Sequence, residues 1–350
     1  MTWWTKIFLG LNIISVISLV MAYYAPEIDP NNFWIFSFFG LMYPISLFVN
    51  VAFIIFWAFR ELKFSLISLL AIALGWGNVS KYLAYNTDKV SNRQHDVSII
   101  SFNIGNAIEA YDKKAEAKET KLIKMNHFLD RFKDEDIICL QEVGSYAEDI
   151  IKKNFKNYNI HKYDKGAVII SKHKIINKGQ IDFGTKTNSC LWSDIVIDLD
   201  TFRVYSLHLQ SNNISVDAKN MIENGSLKEE KTWKGVKGIF RKYRYYHKTR
   251  AVQSKLVKNH ANNSPYPVVL CGDFNDVPLS YTYEHLSEGL NDCYVQKGNG
   301  LGSTFNGKIP FLRIDYILLD KNIDVRNFNT IRENYSDHYP VAALISLKKV

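Results

Sequence analysis

Pro267-Val268-Val269-Leu270-Cys271-Gly272-Asp273-Phe274-Asn275-Asp276 is the stretch whose reading decides the fold. The apolar run from Pro267 to Cys271 reads as a short strand buried on both faces. Polar residues follow at once. Acids at the tip of a buried strand are costly to desolvate unless something uses them. The stretch therefore predicts a sheet with a polar crevice at its strand ends.

Working outward, Val97–Phe102, 136–140 and 167–171 read as further strands, and 193–199 and 202–207 alternate as half-buried strands do. Arg313–Leu319 and Val341–Leu347 complete the set. Residues 115–132 have helical spacing through Leu122, Met125, Phe128, Leu129 and Phe132, and 231–258 is mainly helical. Strands outnumber helices and short turns join many of them. That favours sheets packed face to face with helices outside over a simple alternating βαβ fold.

Polar clusters sit at the edges of these strands: Ser101-Phe102-Asn103, Gln141-Glu142, His208, Asp273 to Asp276, Arg313-Ile314-Asp315 and Ser336-Asp337-His338. Each has a bland reading by itself. Glu142 can cap a helix, Asp273 with Asn275 can form an Asx-turn, His208 can be a satisfied core histidine, and Asp315 can pair with Arg313. Tips of one sheet face one crevice, so Asn103, Glu142, His208, Asp273, Asn275, Asp315, Asp337 and His338 are expected to converge. Oxygen donors without a Cys/His cluster favour magnesium or manganese over zinc.

In that order, SFN, LQE, SLHL, GDFND, RIDY and SDHYP resemble the endonuclease/exonuclease/phosphatase superfamily, over about residues 97–347. Its members include pancreatic deoxyribonuclease, abasic-site endonucleases, neutral sphingomyelinases and inositol-polyphosphate phosphatases. The resemblance implies a four-layer α/β/β/α sandwich of two mixed sheets and a divalent-metal-dependent phosphoric ester hydrolase using direct attack of water. It implies that Glu142 binds the metal with Asn103 beside it and Asp337 nearby. Asp273 and Asn275 would orient water and hold the phosphate, Asp315 would pair with His338, and His208 would contact the phosphate or leaving group. Thr304-Phe305 matches a substrate-side loop. Arg250, on the helix before GDFN, matches a family position and is expected on the substrate side. Tyr163 is the one candidate for the tyrosine motif of abasic-site endonucleases.

The first eighty residues read differently. The chain has 350 residues, 47% hydrophobic and 22% charged, which excludes a fully disordered chain. Charge is missing for 20 residues between Lys6 and Glu27, for 30 between Asp29 and Arg60, and for 17 between Lys63 and Lys81. A bilayer crossing needs roughly 20 apolar residues, so about three transmembrane helices are expected, the third marginal. Lys6 before the first and Arg60 and Lys63 after the second place those ends in the cytoplasm. With three spans the remainder lies outside an inner (cytoplasmic) membrane; if the third fails, it flips inward. The expected domains are a membrane region 1–82, a linker 83–94 and a catalytic domain 95–350.

Between Lys231 and Arg250 stand eight basic residues and no acid, matching the chain's whole net charge of +8. Trp233, Phe240, Tyr243, Tyr245 and Tyr246 interleave. Such a segment suits nucleic-acid phosphates with base stacking, an interfacial helix on anionic lipid, or a solvated helix with its aromatics on the core. Of the four cysteines, Cys139 and Cys271 are expected buried, while spacing leaves open whether Cys190 and Cys293 are exposed and pair in an oxidising compartment. The sequence supports a membrane-anchored, nuclease-like phosphodiesterase, with a sphingomyelinase-type lipid phosphodiesterase and a non-enzymatic membrane module as rivals.

Overall fold

Two asparagines tie the N-terminal helices together. A computed structural model describes all residues except 87–95, 106–122, 124, 125, 164, 213–229, 308–310, 334 and 348–350. Its helices are α1 (Trp3–Tyr24), α2 (Pro30–Phe33), α3 (Ile35–Leu41), α4 (Tyr43–Arg60), α5 (Leu62–Leu74), α6 (Ser145–Asn154), α7 (Glu230–Asn262), α8 (Tyr281–Ser287) and α9 (Cys293–Lys297). Asn12 on α1 donates to Ser68 Oγ on α5 at 2.6 Å and accepts from Trp57 Nε1 on α4 at 3.0 Å. Asn50 on α4 accepts from Ser68 Oγ at 2.8 Å and donates to Ser15 Oγ at 2.8 Å. Polar groups paired across apolar helices are a common glue where no water competes.

The membrane expectation needs correcting in two places. The 30-residue charge-free stretch is not one helix. It breaks at Trp34 and Met42 into α2, α3 and α4, and Pro44 in the first turn of α4 fixes the new start. The third stretch gives only the 13-residue α5, about 20 Å long, against a hydrocarbon core of about 30 Å. Among the described residues two helices, α1 and α4, are long and apolar enough to cross a membrane, not three.

Residues 1–80 form one compact unit with 210–254 and 276–285. The basic part of α7 therefore clusters with the N-terminal helices rather than lying wholly in a domain that begins at 95. Tyr243 Oη donates to Ser37 O at 2.8 Å, Lys248 Nζ donates to Asn31 O at 2.9 Å, and the Phe240 ring lies 5.9 Å from Phe38 and 6.2 Å from Trp34.

Residues 81–209, 255–275 and 286–350 form the second unit, a pair of six-stranded mixed sheets. The strands are β1 (Leu83–Ala84), β2 (Val97–Asn103), β3 (Ile137–Gln141), β4 (Asn159–Lys162), β5 (Val168–Ser171), β6 (Lys174–Ile181) and β7 (Ser189–Ile197). They continue with β8 (Asp200–His208), β9 (Val268–Asp273), β10 (Leu290–Asp292), β11 (Gly300–Leu301), β12 (Asp315–Asp320), β13 (Ile323–Thr330) and β14 (Val341–Leu347). One sheet runs β13–β14–β2–β3–β5–β4, the other β10–β12–β9–β8–β7–β6. The expected linker is partly strand: β1 pairs with β11, and Tyr294 Oη accepts from Ala84 N at 2.9 Å. Residues 87–94 of that linker and 115–122 of the expected helix lie outside the described residues.

Alternation sorts the side chains. Ile99, Cys139, Leu191, Val204, Val269 and Ile317 meet between the sheets. Ile100, Phe102, Ile138 and Leu140 point the other way, onto Phe128, Leu129 and the Ala147 and Ile151 of α6. Each such burial contributes about 1.5–3 kcal/mol. On the outer face of the second sheet, His260 of α7 meets the Tyr205 hydroxyl at 2.8 Å. All four cysteines are buried and free, as expected for Cys139 and Cys271, which settles the open question for Cys190 and Cys293. Tyr163 packs, partly buried, against the core between the sheets.

Each sheet has one parallel pair, β2–β3 in the first and β8–β9 in the second. Gly272 lets β9 approach β8. Its φ is +142°, and a Cβ there would lie 2.1 Å from Leu207 O. Gly272→Ala is expected to destabilise the chain by about 3 kcal/mol or more, from strain plus collision. A thermal melt within a degree of wild type would contradict this.

Candidate active site

The parallel pairs set the site. β2 ends at Asn103, β3 at Gln141 with Glu142 next, β8 at His208 and β9 at Asp273. Asp315, the first residue of β12, pairs in register with Asp273, and Val341 at the start of β14 pairs with Ser101. Crevices outside the carboxyl ends of strands are where α/β sheets carry ligands.

Asn103 joins the two sheets. Its Nδ2 donates to Asp273 Oδ2 at 2.9 Å and to Glu142 Oε1 at 3.3 Å, while its Oδ1 accepts from Gly105 N at 2.8 Å. Asn275 Nδ2 donates to the same Asp273 Oδ2 at 2.9 Å and to Leu209 O at 3.0 Å, and Asn275 N donates to Asp273 Oδ1 at 2.7 Å. Glu142 and Asn275 both sit at φ +54°. Left-handed backbone at non-glycine residues is a strain that clusters at functional sites.

His338 lies between two carboxylates. Its Nδ1 is 3.0 Å from Asp315 Oδ2 and its Nε2 is 3.8 Å from Asp273 Oδ2. His208 Nε2 lies 3.3 Å from Glu142 Oε1 and 3.9 Å from Asp273 Oδ2. The Phe305 ring packs edge-on against His338 at 5.3 Å, and Thr304 Oγ1 accepts from Ile314 N and Asp315 N. Asp337 lies at the rim, its Oδ1 accepting from Ser336 Oγ at 3.1 Å.

The charges separate the acids. Burial would raise Glu142, but the hydrogen bond and charge of His208, with Asn103 and His338, hold it down to about 2. Burial, with Asp315 alongside, pushes Asp273 up to about 6, despite His338 and His208. Burial would lower His338, yet Asp315 and Asp273 push it up to about 10. Burial likewise opposes the charge of His208, and Glu142 and Asp273 overcome it and raise its pKa.

A divalent cation fits. Four carboxylates (Glu142, Asp273, Asp315, Asp337) face two imidazoles, so with all of them ionised and both rings protonated two negative charges remain for a cation to neutralise. One ligand atom each from Asp273, Asp315 and His338 lies within 4.8 Å of the others, so this buried cluster is able to hold a metal. With Nε2 of His208 turned to Glu142, its Nδ1 is buried and has no hydrogen-bond partner among the described residues. Buried polar atoms without partners mark a place where something else binds.

The site thus brings together Asn103, Glu142, His208, Asp273, Asn275, Asp315, His338 and Phe305, with Thr304 bracing Asp315 and Asp337 at the rim. Arg250 is engaged in the packing of its own unit, which corrects the substrate-side expectation. Its side chain is wholly buried, with Nε on Asp276 Oδ2 at 3.0 Å and Nη1 on Gln210 O and Asn212 Oδ1, both at 2.8 Å. Two contributors went unlisted by sequence reasoning. Ser336 Oγ donates to Asn103 O at 3.0 Å and so ties the two ends of the site; its place in SDHYP was the available signal. Asn188, fully buried, donates to Leu209 O at 3.0 Å, the carbonyl that Asn275 also uses, and nothing in its neighbourhood of sequence marks it.

Solved structures share this fold. An endonuclease/exonuclease/phosphatase family protein from Bacteroides thetaiotaomicron superposes with a TM-score of 0.53 at 18% identity, covering 74% of this chain and all of that one. The mannosyl-6-phosphatase of the same organism gives 0.53 at 17%, over 72% of this chain and 100% of its own. The human Nocturnin catalytic domain gives 0.51 at 15%, over 74% and 97%. No curated protein sequence matches the chain. Residues 5–82 match a domain family of unknown function, DUF8431. Residues 100–338 match the model of the Endonuclease/Exonuclease/phosphatase family, and with two thirds of its length so matched and the site built at its strand ends, the chain belongs to that family.

Proposed function

We propose that the protein is a membrane-anchored phosphodiesterase, dependent on magnesium or manganese, that cleaves its substrate by direct attack of water. The observation that carries this is the line Asp315–His338–Asp273 beside Glu142, where the surroundings push the pKa values of Glu142, Asp273 and His338 apart. A cation held by Glu142, with Asn103 and Asp337 near it, would neutralise the phosphate and polarise the ester bond. Asp315 holds the His338 imidazolium, and Nε2 of that ring is free to donate to a phosphate oxygen. Asp273, raised towards neutrality and fixed by Asn103 and Asn275, is suited to orient water and take its proton. His208 is suited to the phosphate or the leaving group. Phe305 and Thr304 bound the substrate side.

Anchoring is supported by α1 and α4, whose apolar side chains are largely exposed, Phe59 at 86% and Phe48 at 73%. A core helix would bury them. Tyr23 Oη near the end of α1 donates to Ala71 O near the end of α5. Despite its shortness, α5 thus returns the chain to the side of α2 and α3, where α7 also lies. With Lys6, Arg60 and Lys63 at the opposite ends, the positive-inside rule assigns that side to the exterior of a cytoplasmic membrane.

A lipid phosphodiester is the second reading, favoured by one observation. Phe240 and Tyr243 are engaged by Trp34, Phe38 and Ser37, which takes those two rings from base stacking. The test uses the full chain in detergent with magnesium, assayed on plasmid DNA and on sphingomyelin and phospholipid vesicles, with His338→Ala as control. Nicking that the control lacks supports a nuclease; headgroup release without nicking supports a lipid phosphodiesterase. Magnesium-independent activity, or activity equal in the control, would overturn the proposal.

A further inference from the structure

The basic stretch of α7 is the feature that the catalytic chemistry leaves unused. Lys234, Lys237, Arg241 and Arg244 recur at intervals of three and four residues, so they share one stripe of the helix. All four are exposed. The neighbouring stripe is spent on packing, with Tyr243 and His247 buried. Lys248 continues the cationic stripe and reaches Asn31 O at 2.9 Å.

Asn31 gives the depth. It lies in α2, within the segment joining α1 to α4, and beside it Phe33 is 64% exposed and Ile35 38% exposed. Next to two apolar spans, exposed apolar side chains at that point suit the boundary between headgroups and acyl chains. A helix lying on this segment has its cations at headgroup height. Exposed Trp233 and Tyr245 on the same helix are the aromatics enriched at membrane interfaces.

We infer that this stripe docks on anionic phospholipid headgroups of the leaflet nearest α2 and α3. The inference rests on the reading of α1 and α4 as membrane spans. It adds a lipid preference that spans alone do not confer, because polybasic segments bind in proportion to surface charge.

The test places the full chain in nanodiscs of phosphatidylcholine alone, or with about one third phosphatidylglycerol. Incorporation into both kinds of disc reads the anchoring, and failure to incorporate overturns anchoring and inference together. The rate of Lys237 acetylation by an uncharged succinimidyl ester, read by mass spectrometry, tests the stripe. Exposed Lys178 on β6 is the internal reference. Lys237 is expected to react about fivefold more slowly in the anionic discs, with the protection lost at about 0.5 M salt. Arg241→Gln with Arg244→Gln should reduce that protection. Equal rates in both discs, with the chain incorporated, would overturn the inference. So would protection that appears only when duplex DNA is added to the phosphatidylcholine discs.

Discussion

Glu142→Ala is expected to lower metal-dependent hydrolysis by about three orders of magnitude, close to 4 kcal/mol of transition-state stabilisation. Glu142 is held down to about 2 by His208 and Asn103, so it stays ionised wherever the enzyme works. Asp273 is partly protonated near neutrality and Asp315 is spent on His338. Removing Glu142 takes from the cation the donor that needs no proton displaced. The fold should survive. Asn103 loses one acceptor but keeps Asp273 Oδ2 at 2.9 Å, while buried His208 loses the carboxylate at 3.3 Å, so the loss of stability is about 1–3 kcal/mol. Glu142→Gln keeps the oxygen that Asn103 uses but removes the charge, and should be nearly as inactive. The measurement is kcat against magnesium concentration, alongside a circular dichroism melt. A folded Glu142→Ala variant with wild-type kcat and magnesium dependence would remove Glu142 from the cation site.

The sequence made the middle of each sheet legible and the edges obscure. Ile137 to Gln141 and Val268 to Asp273 are buried on both faces, so they read as apolar runs. β6, Lys-Ile-Ile-Asn-Lys-Gly-Gln-Ile, is an edge strand of mostly exposed residues whose one bulge shifts the alternation midway, so no apolar alternation reads from its sequence. β13, the other sheet's edge, also carries a bulge and reads as mixed polar sequence. Site residues were legible because they are acids, amides and imidazoles next to apolar strands, a conflict that composition alone exposes. Arg250 was not, because its helix turns the guanidinium towards Asp276, and which face of a helix is buried depends on what folds against it. The breaks at Trp34 and Met42 were hidden for a related reason. Absence of charge measures solubility in lipid, not helix continuity, and only Pro44 signalled a new start.

Asp315→Asn should lower kcat by about a hundredfold or more and bring the His338 titration down towards 6.5. In the metal-free chain the imidazole is buried, which favours its neutral form, yet Asp315 at 3.0 Å and Asp273 at 3.8 Å push its pKa up to about 10. Asn keeps the shape and a hydrogen-bond acceptor but removes the nearest negative charge. The ring then loses its fixed orientation and its proton at neutral pH together. Stability follows by linkage. His338 is raised on folding, so its contribution is complete below about 6.5 and is lost as pH rises through about 10. Asp273 is also raised, so folding loses its contribution as pH rises through about 6. Glu142 acts oppositely, its contribution lost only as pH falls towards about 2. The metal-free wild type should therefore lose thermal stability between mildly acidic and alkaline pH, and a divalent cation should restore it by neutralising the buried carboxylate charge. Histidine-labelled NMR, with His338→Gln identifying the resonance, reads the titration directly. A midpoint near 6.5 in the wild type, unchanged in Asp315→Asn, would show that Asp315 does not hold the ring charged and would leave the site without its proton donor.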